Sequence, residues 1–195
     1  MNIFFLDNNP KTAAHMMHDK HVVKMIVESA QMLSTAHRML DGYMETRPSK
    51  SGKRMVKYYV HQDPYLEENL YKAVHHYHPC TVWTCETNSN YNWHYKHFVA
   101  LCDEYTYRYG KVHATDTKLR TLLKRPPVMT NYSNDITPFR LAMADYPECI
   151  ALGDPVQAYQ AFYQTKQDRF TMAWTKRDIP EWFNAERESL GLHES

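Results

Sequence analysis

The sequence predicts an all-α fold, a compact single-domain helical bundle with long irregular loops. Three observations carry that prediction. Only 5 Gly occur in 195 residues, whereas a turn-rich all-β chain spends glycine freely on its turns. Apolar residues recur at the helical period rather than in alternation, as in Val22, Ile26, Ala30, Leu33 and Leu40. Finally, Asn9-Pro10, Asp63-Pro64 and Asp154-Pro155 each set a capping side chain directly before a proline at the first helical position.

The elements follow in order. Asp19 is the expected N-cap of DKHVVKMIVESAQMLSTAHRML, which Asp41-Gly42 ends. The next stretch, TRPSKSGKRMVK, reads as a mobile basic loop over 46–57, because Pro, Ser and Gly interrupt every period. A helix is expected from Pro64 to about Tyr77, broken at Pro79, then a short one around Cys80–Glu86. TNSN offers caps for a long helix from Asn90 to Tyr109, with Gly110 as its stop. A short helix near Asp116–Leu123 ends at Pro126-Pro127, Val128–Gly153 is irregular, and Asp154 opens a last helix through Arg169. Trp174, Trp182 and Phe183 mark 174–195 as a tail that docks. With no repeat or linker, one domain spans 1–195.

Composition narrows the function classes. At 43% hydrophobic residues the chain can bury a core without disulfides. MNIFFLD has no basic leader, so the four cysteines are expected reduced in a cytoplasmic protein. No run approaches the roughly 20 apolar residues of a membrane helix, so no membrane partner is expected. A net charge of +1 does not announce nucleic acid. The charge is unevenly placed, however, with Arg47, Lys50, Lys53, Arg54 and Lys57 ahead of Tyr58 and Tyr59. Cation plus aromatic is the composition that contacts phosphate and stacks a base. Phosphate-binding glycine loop, nucleophile elbow and dinucleotide fingerprint are all lacking.

Two constellations carry chemistry. At about 100° per residue, His21, Lys24, Glu28, Gln31, Thr35 and Arg38 fall within one quadrant of the Asp19 helix, opposite Val22, Ile26, Ala30 and Leu33. A carboxylate with a lysine one turn away and a histidine two turns away is a workable acid–base cluster. The same spacing also describes a solvated face with one Lys24–Glu28 pair. His75, His76, His78, Cys80, Cys85, His94 and His97 are metal-ligand types, but their spacing matches no closed zinc pattern, so no metal and no cofactor are expected.

The pattern DKHVVKMIVESAQ resembles the first long helix of the pyrimidine dimer DNA glycosylases of the phage endonuclease V type. In that family a histidine precedes the catalytic glutamate by the spacing of His21 and Glu28. The block HPCTVWTCETNSNYNWHYKHFVALCDEYTYRYGK is similar to a later helix of the family. DKHVVKM, HPCTVW, EYTYRYGKVH, GDPVQAY and IPEW together also resemble a group of small tailed-bacteriophage proteins. The first resemblance implies an all-α fold and an N-glycosylase/lyase that acts on a DNA base or nucleotide. An N-terminal α-amine attacks the sugar C1′ and a glutamate stabilises the imine. An α-amine suits this because its class keeps a useful neutral fraction near pH 7.

On that basis the expected catalytic set is Glu28, Met1 and His21, with Lys24, Gln31, Arg38, Lys50, Lys53, Arg54 and Tyr58 contacting the nucleic acid or nucleotide. Asn2 is too bulky for removal of Met1, so Met1 itself would be the nucleophile. Arginines that the family carries beside its glutamate are replaced by Val27 and Gln31. The alternatives are a non-catalytic phage factor that binds a nucleotide or a host protein through the same pocket, or a nucleotide-modifying enzyme on the same scaffold. If the chain is phage-encoded, it is expected in the host cytoplasm.

Overall fold

The computed structural model describes residues 1–129, 131–169 and 171–183. Two long helices, α2 (Asp19–Leu40) and α5 (Asn88–Tyr109), pack against each other. Around them stand α1 (Pro10–His15), α3 (Pro64–Asn69), α4 (Pro79–Glu86), α6 (Ala114–Leu119), α7 (Pro147–Ile150) and α8 (Pro155–Gln164). The chain is mostly helical but not all-α: β1 (Gly42–Pro48) and β2 (Met55–His61) form one antiparallel hairpin, in register from Gly42↔His61 to Pro48↔Met55.

The proline caps act as their chemistry dictates. Asn9 accepts from the Lys11 and Thr12 N–H groups, Asp63 from those of Tyr65 and Leu66, and Asp154 from that of Gln157. Thr87 caps α5, and Gly110 ends it in the left-handed region at φ 68°. At α2 the N-cap position falls on His18 rather than Asp19. Asp19 is spent elsewhere: its carboxylate takes Thr175 N–H at 2.9 Å, Thr175 Oγ1 at 2.7 Å and Arg108 Nη1 at 2.8 Å.

Two sequence expectations need correction. The basic stretch 46–57 is not an irregular loop but most of the hairpin. Pro48 ends β1, and the Ser and Gly after it form the turn, closed by Ser49 N–H to the Arg54 carbonyl at 2.7 Å, with Gly52 at φ 71°. The flanking MVKYYVH is the β-branched and aromatic composition that strands favour. The helix expected from Pro64 to Tyr77 stops at Asn69. Beyond it, α2 competes successfully for the backbone: Ser34 Oγ takes Tyr71 N–H at 3.3 Å, and Thr35 Oγ1 takes Val74 N–H at 3.1 Å. Arg38 Nε donates to the Tyr71 carbonyl at 2.7 Å. A helix needs those groups for itself.

Trp83, Tyr91, Phe98, Tyr159 and Tyr163 fill the core between α2, α4, α5 and α8. Phe5 stands among Trp83, Trp93, Phe139 and Tyr159 with ring centroids 4.0–5.3 Å away. The tail docks through Trp174, whose Nε1–H donates to the Met16 carbonyl at 2.8 Å. Residues 184–195 of that tail lie outside the described residues. Among the described residues no helix is long and apolar enough to cross a membrane.

Candidate functional site at the amino terminus

The N-terminal segment lies along α2. Three extended residues and seven helical residues both cover about 10 Å, so a chain that sets Phe4 against His21 brings Met1 to Glu28. The rings of Phe4 and His21 stack at 4.8 Å between centroids. At the other end, the Met1 amine stands 3.9 Å from Glu28 Oε2, and Asn2 N–H donates to the same oxygen at 2.9 Å. Lys24 Nζ reaches Glu28 Oε1 at 3.2 Å from the rim. The Glu28 side chain is 12% exposed, so this carboxylate is enclosed but reachable.

Asn2 is the peg that holds the amine in place. Its Nδ2 donates to the Ala142 carbonyl at 3.2 Å, and its Oδ1 accepts Phe4 N–H at 3.0 Å. Cys80 Sγ lies 3.8 Å from both Asn2 Oδ1 and Tyr159 Oη. Burial pushes the Cys80 thiol up to about 11, so it is no thiolate nucleophile at neutral pH.

His78 completes the site. Its Nδ1 accepts Cys80 N–H at 3.2 Å, and the ring also hydrogen-bonds the Met1 backbone. Burial lowers its pKa, and the nearby terminal ammonium and His75 lower it further, against Glu28 and the Met1 bond. A neutral ring therefore faces the amine. His78, Asn2 and Cys80 were not legible as site residues, since only the crossing of the N-terminal segment over α2 and the start of α4 brings them together.

The sequence-predicted residues divide three ways. Met1, Glu28 and Lys24 come together, and half-buried Gln31 lies one turn beyond Glu28. His21 shares their face of α2 but is roofed by the N-terminal segment: its Nδ1 pairs with Tyr163 Oη at 2.9 Å, and burial drives its pKa down to about 2. It is a neutral core residue and is not presented to a ligand. Arg38 is 3% exposed and places its donors on the carbonyls of Tyr59, Glu67, Leu70 and Tyr71 and on the Glu67 carboxylate. That leaves its guanidinium no free N–H for a phosphate. Lys50, Lys53 and Arg54 stand exposed at the hairpin tip, and Arg47 lies 4.6 Å over the Tyr58 ring.

Comparison with protein-family models, with curated proteins and with solved structures finds no match. The geometry therefore carries the functional argument alone.

A groove of about 390 Å³ lies between the hairpin and the segment after α3. The hairpin contributes Arg47, Lys57, Tyr58 and Tyr59, and the segment after α3 contributes Lys72 and His76. Tyr77, 83% exposed, stands at its edge. His78, at the amine, is the next residue along.

Proposed function

We propose that this chain is a nucleic-acid-directed N-glycosylase/lyase that uses the Met1 α-amine as nucleophile and Glu28 as its carboxylate. The observation that carries the reading is the 3.9 Å approach of that amine to Glu28 Oε2. The amine nitrogen forms a bond to C1′ of an extruded nucleotide, and the C1′–N glycosidic bond breaks with its electron pair going to the base, which takes up a proton. Loss of a proton from nitrogen and opening of the sugar ring, with a proton to O4′, give the imine. Glu28 stabilises the positive charge that develops at C1′, and in a water-poor site such a counter-charge is effective. His78 is a positioning residue that holds the Met1 backbone. Arg47, Lys57 and the hairpin-tip cations track phosphates, while Tyr58, Tyr59 and Tyr77 offer faces for bases.

Borohydride reduction during incubation with abasic or damaged DNA tests this. A covalent adduct is expected, lost when a residue is added ahead of Met1 and reduced on the order of 10²- to 10⁴-fold in Glu28→Gln. No adduct on any of these DNAs, or an adduct indifferent to Glu28→Gln, overturns the assignment.

A second reading rests on the Met1 side chain being only 5% exposed. A closed pocket suits a non-catalytic factor that holds a nucleotide. It requires Glu28→Gln to change affinity with no turnover to lose, and a formylated N-terminus in mass spectrometry would favour it.

A further inference from the structure

A second cluster lies at the opposite end of α2, where the hairpin is rooted. His37 is in the last turn of α2, Asp41 is its C-cap, and His61 is the last residue of β2, paired with Gly42. One ligand atom from each of His37, Asp41 and His61 lies within 4.8 Å of the other two. Asp41 Oδ2 is 3.8 Å from His37 Nδ1 and 4.0 Å from His61 Nε2. Both nitrogens are buried without a hydrogen bond of normal geometry among the described residues, on side chains of residues 4% and 6% exposed.

The surrounding bonds fix what these atoms can do. Tyr91 Oη donates to the Leu123 carbonyl at 2.9 Å, so it accepts from His37 Nε2, also at 2.9 Å. The ring also approaches the Arg125 carbonyl; with the His37 hydrogen on Nε2, toward Tyr91, Nδ1 presents a lone pair toward a carboxylate. Asp41 Oδ1 is occupied by Val128 N–H at 2.9 Å, leaving Oδ2 as the free acceptor. A buried lone pair facing this carboxylate, whose side chain is 23% exposed, is repulsive until a cation sits between them. A ring whose far nitrogen donates to a fixed acceptor is also how proteins orient a metal-binding imidazole.

We propose that His37, Asp41 and His61 form a three-ligand site for a divalent transition ion, with zinc the best match. Two imidazoles and one carboxylate are donors that zinc takes and that magnesium and calcium do not favour. Ligand atoms around a tetrahedral zinc stand about 3.4 Å apart, so closure shortens the two carboxylate separations by roughly 0.5 Å and the imidazole–imidazole one by no more than about 1.4 Å. His61 must move its hydrogen to Nδ1, which gives up the bond from Asp63 N–H at 3.0 Å. Asp63 is exposed, and water replaces that bond. The ion would fasten the root of the basic hairpin to the end of α2 and leave one coordination position open.

The test is zinc titration of the chelator-treated full chain against a chromophoric chelator, with cobalt spectra to report nitrogen and oxygen ligation. One saturable equivalent is expected, undisturbed by excess magnesium and accompanied by a rise in Tm. Asp41→Asn and His61→Gln should abolish it. Tyr91→Phe, which keeps the ring and removes the hydroxyl that His37 and the Leu123 carbonyl share, should weaken it by about 10- to 100-fold. His75→Gln, on an exposed histidine outside the cluster, should leave it unchanged. Absence of a saturable equivalent overturns the site, as does an equivalent that persists in folded Asp41→Asn or vanishes in His75→Gln.

Discussion

Arg38 gathers five N–H donors into the fold, joining α2 to β2, α3 and the segment after α3. A buried guanidinium of this kind cannot be lost without leaving Glu67 and several carbonyls short of partners. Arg38→Ala should therefore destabilise the chain by about 3–5 kcal/mol in urea melts. A variant that kept its stability and lost only nucleic-acid binding would return Arg38 to the binding surface. Asn2 has a comparable local role, since its side chain fixes the amine by bonds to Phe4 and Ala142. Asn2→Ala should retain the fold yet lower adduct formation, because a nucleophile displaced by even 1 Å loses much of its advantage.

At the scale of elements, the hairpin is the part whose attachment and charge can be separated experimentally. Gly42 marks its attachment: a Cβ there would press on the carbonyl oxygens of Arg38 and Val60. Both are backbone atoms with little room to move, so Gly42→Ala should cost about 1–3 kcal/mol by thermal melts. The tip behaves differently. Lys50, Lys53 and Arg54 are exposed, so their joint replacement by alanine should leave Tm unchanged. In DNA binding the same variant should flatten the log K against log[salt] slope by roughly 2–3, as each phosphate contact adds about one. An unchanged slope would take the hairpin tip out of the interface.

For the whole molecule, pH is the controlling variable. Burial lowers His18 and His97 from 6.5 to about 4 and His21 to about 2. These rings are neutral when folded, and the unfolded chain binds their protons first. Stability from them is thus complete above 6.5 and lost as pH falls from 6.5 toward 4, at up to about 1.4 kcal/mol per pH unit for each ring. Glu104 adds a second window. Burial raises its pKa, but hydrogen bonds from Arg177 and Arg108 more than offset this and leave it below the ordinary glutamate value. Its contribution is present above the unfolded value and goes only as pH falls through the lower folded one. Urea midpoints across pH 4–8 should show a plateau at the top and a fall that begins near 6.5. A flat profile down to pH 5 would contradict the buried neutral histidines.

What the sequence determined by itself is local. Caps and stops act within a few residues, so Asn9, Asp63, Asp154 and Gly110 announced their elements. The period of α2 set Lys24 and Glu28 on one face. The tertiary structure decided everything that required distant segments to meet. It covered His21 with Phe4, and it ended α3 early because Ser34, Thr35 and Arg38 took the backbone beyond it. The basic stretch became a hairpin, and His78 and Asn2 came to the amine. His37 and Asp41 met His61 only because the hairpin folds back on the end of α2. Spacing along one helix fixes which residues share a face, but the segment that crosses that face decides whether it becomes core, clamp or site.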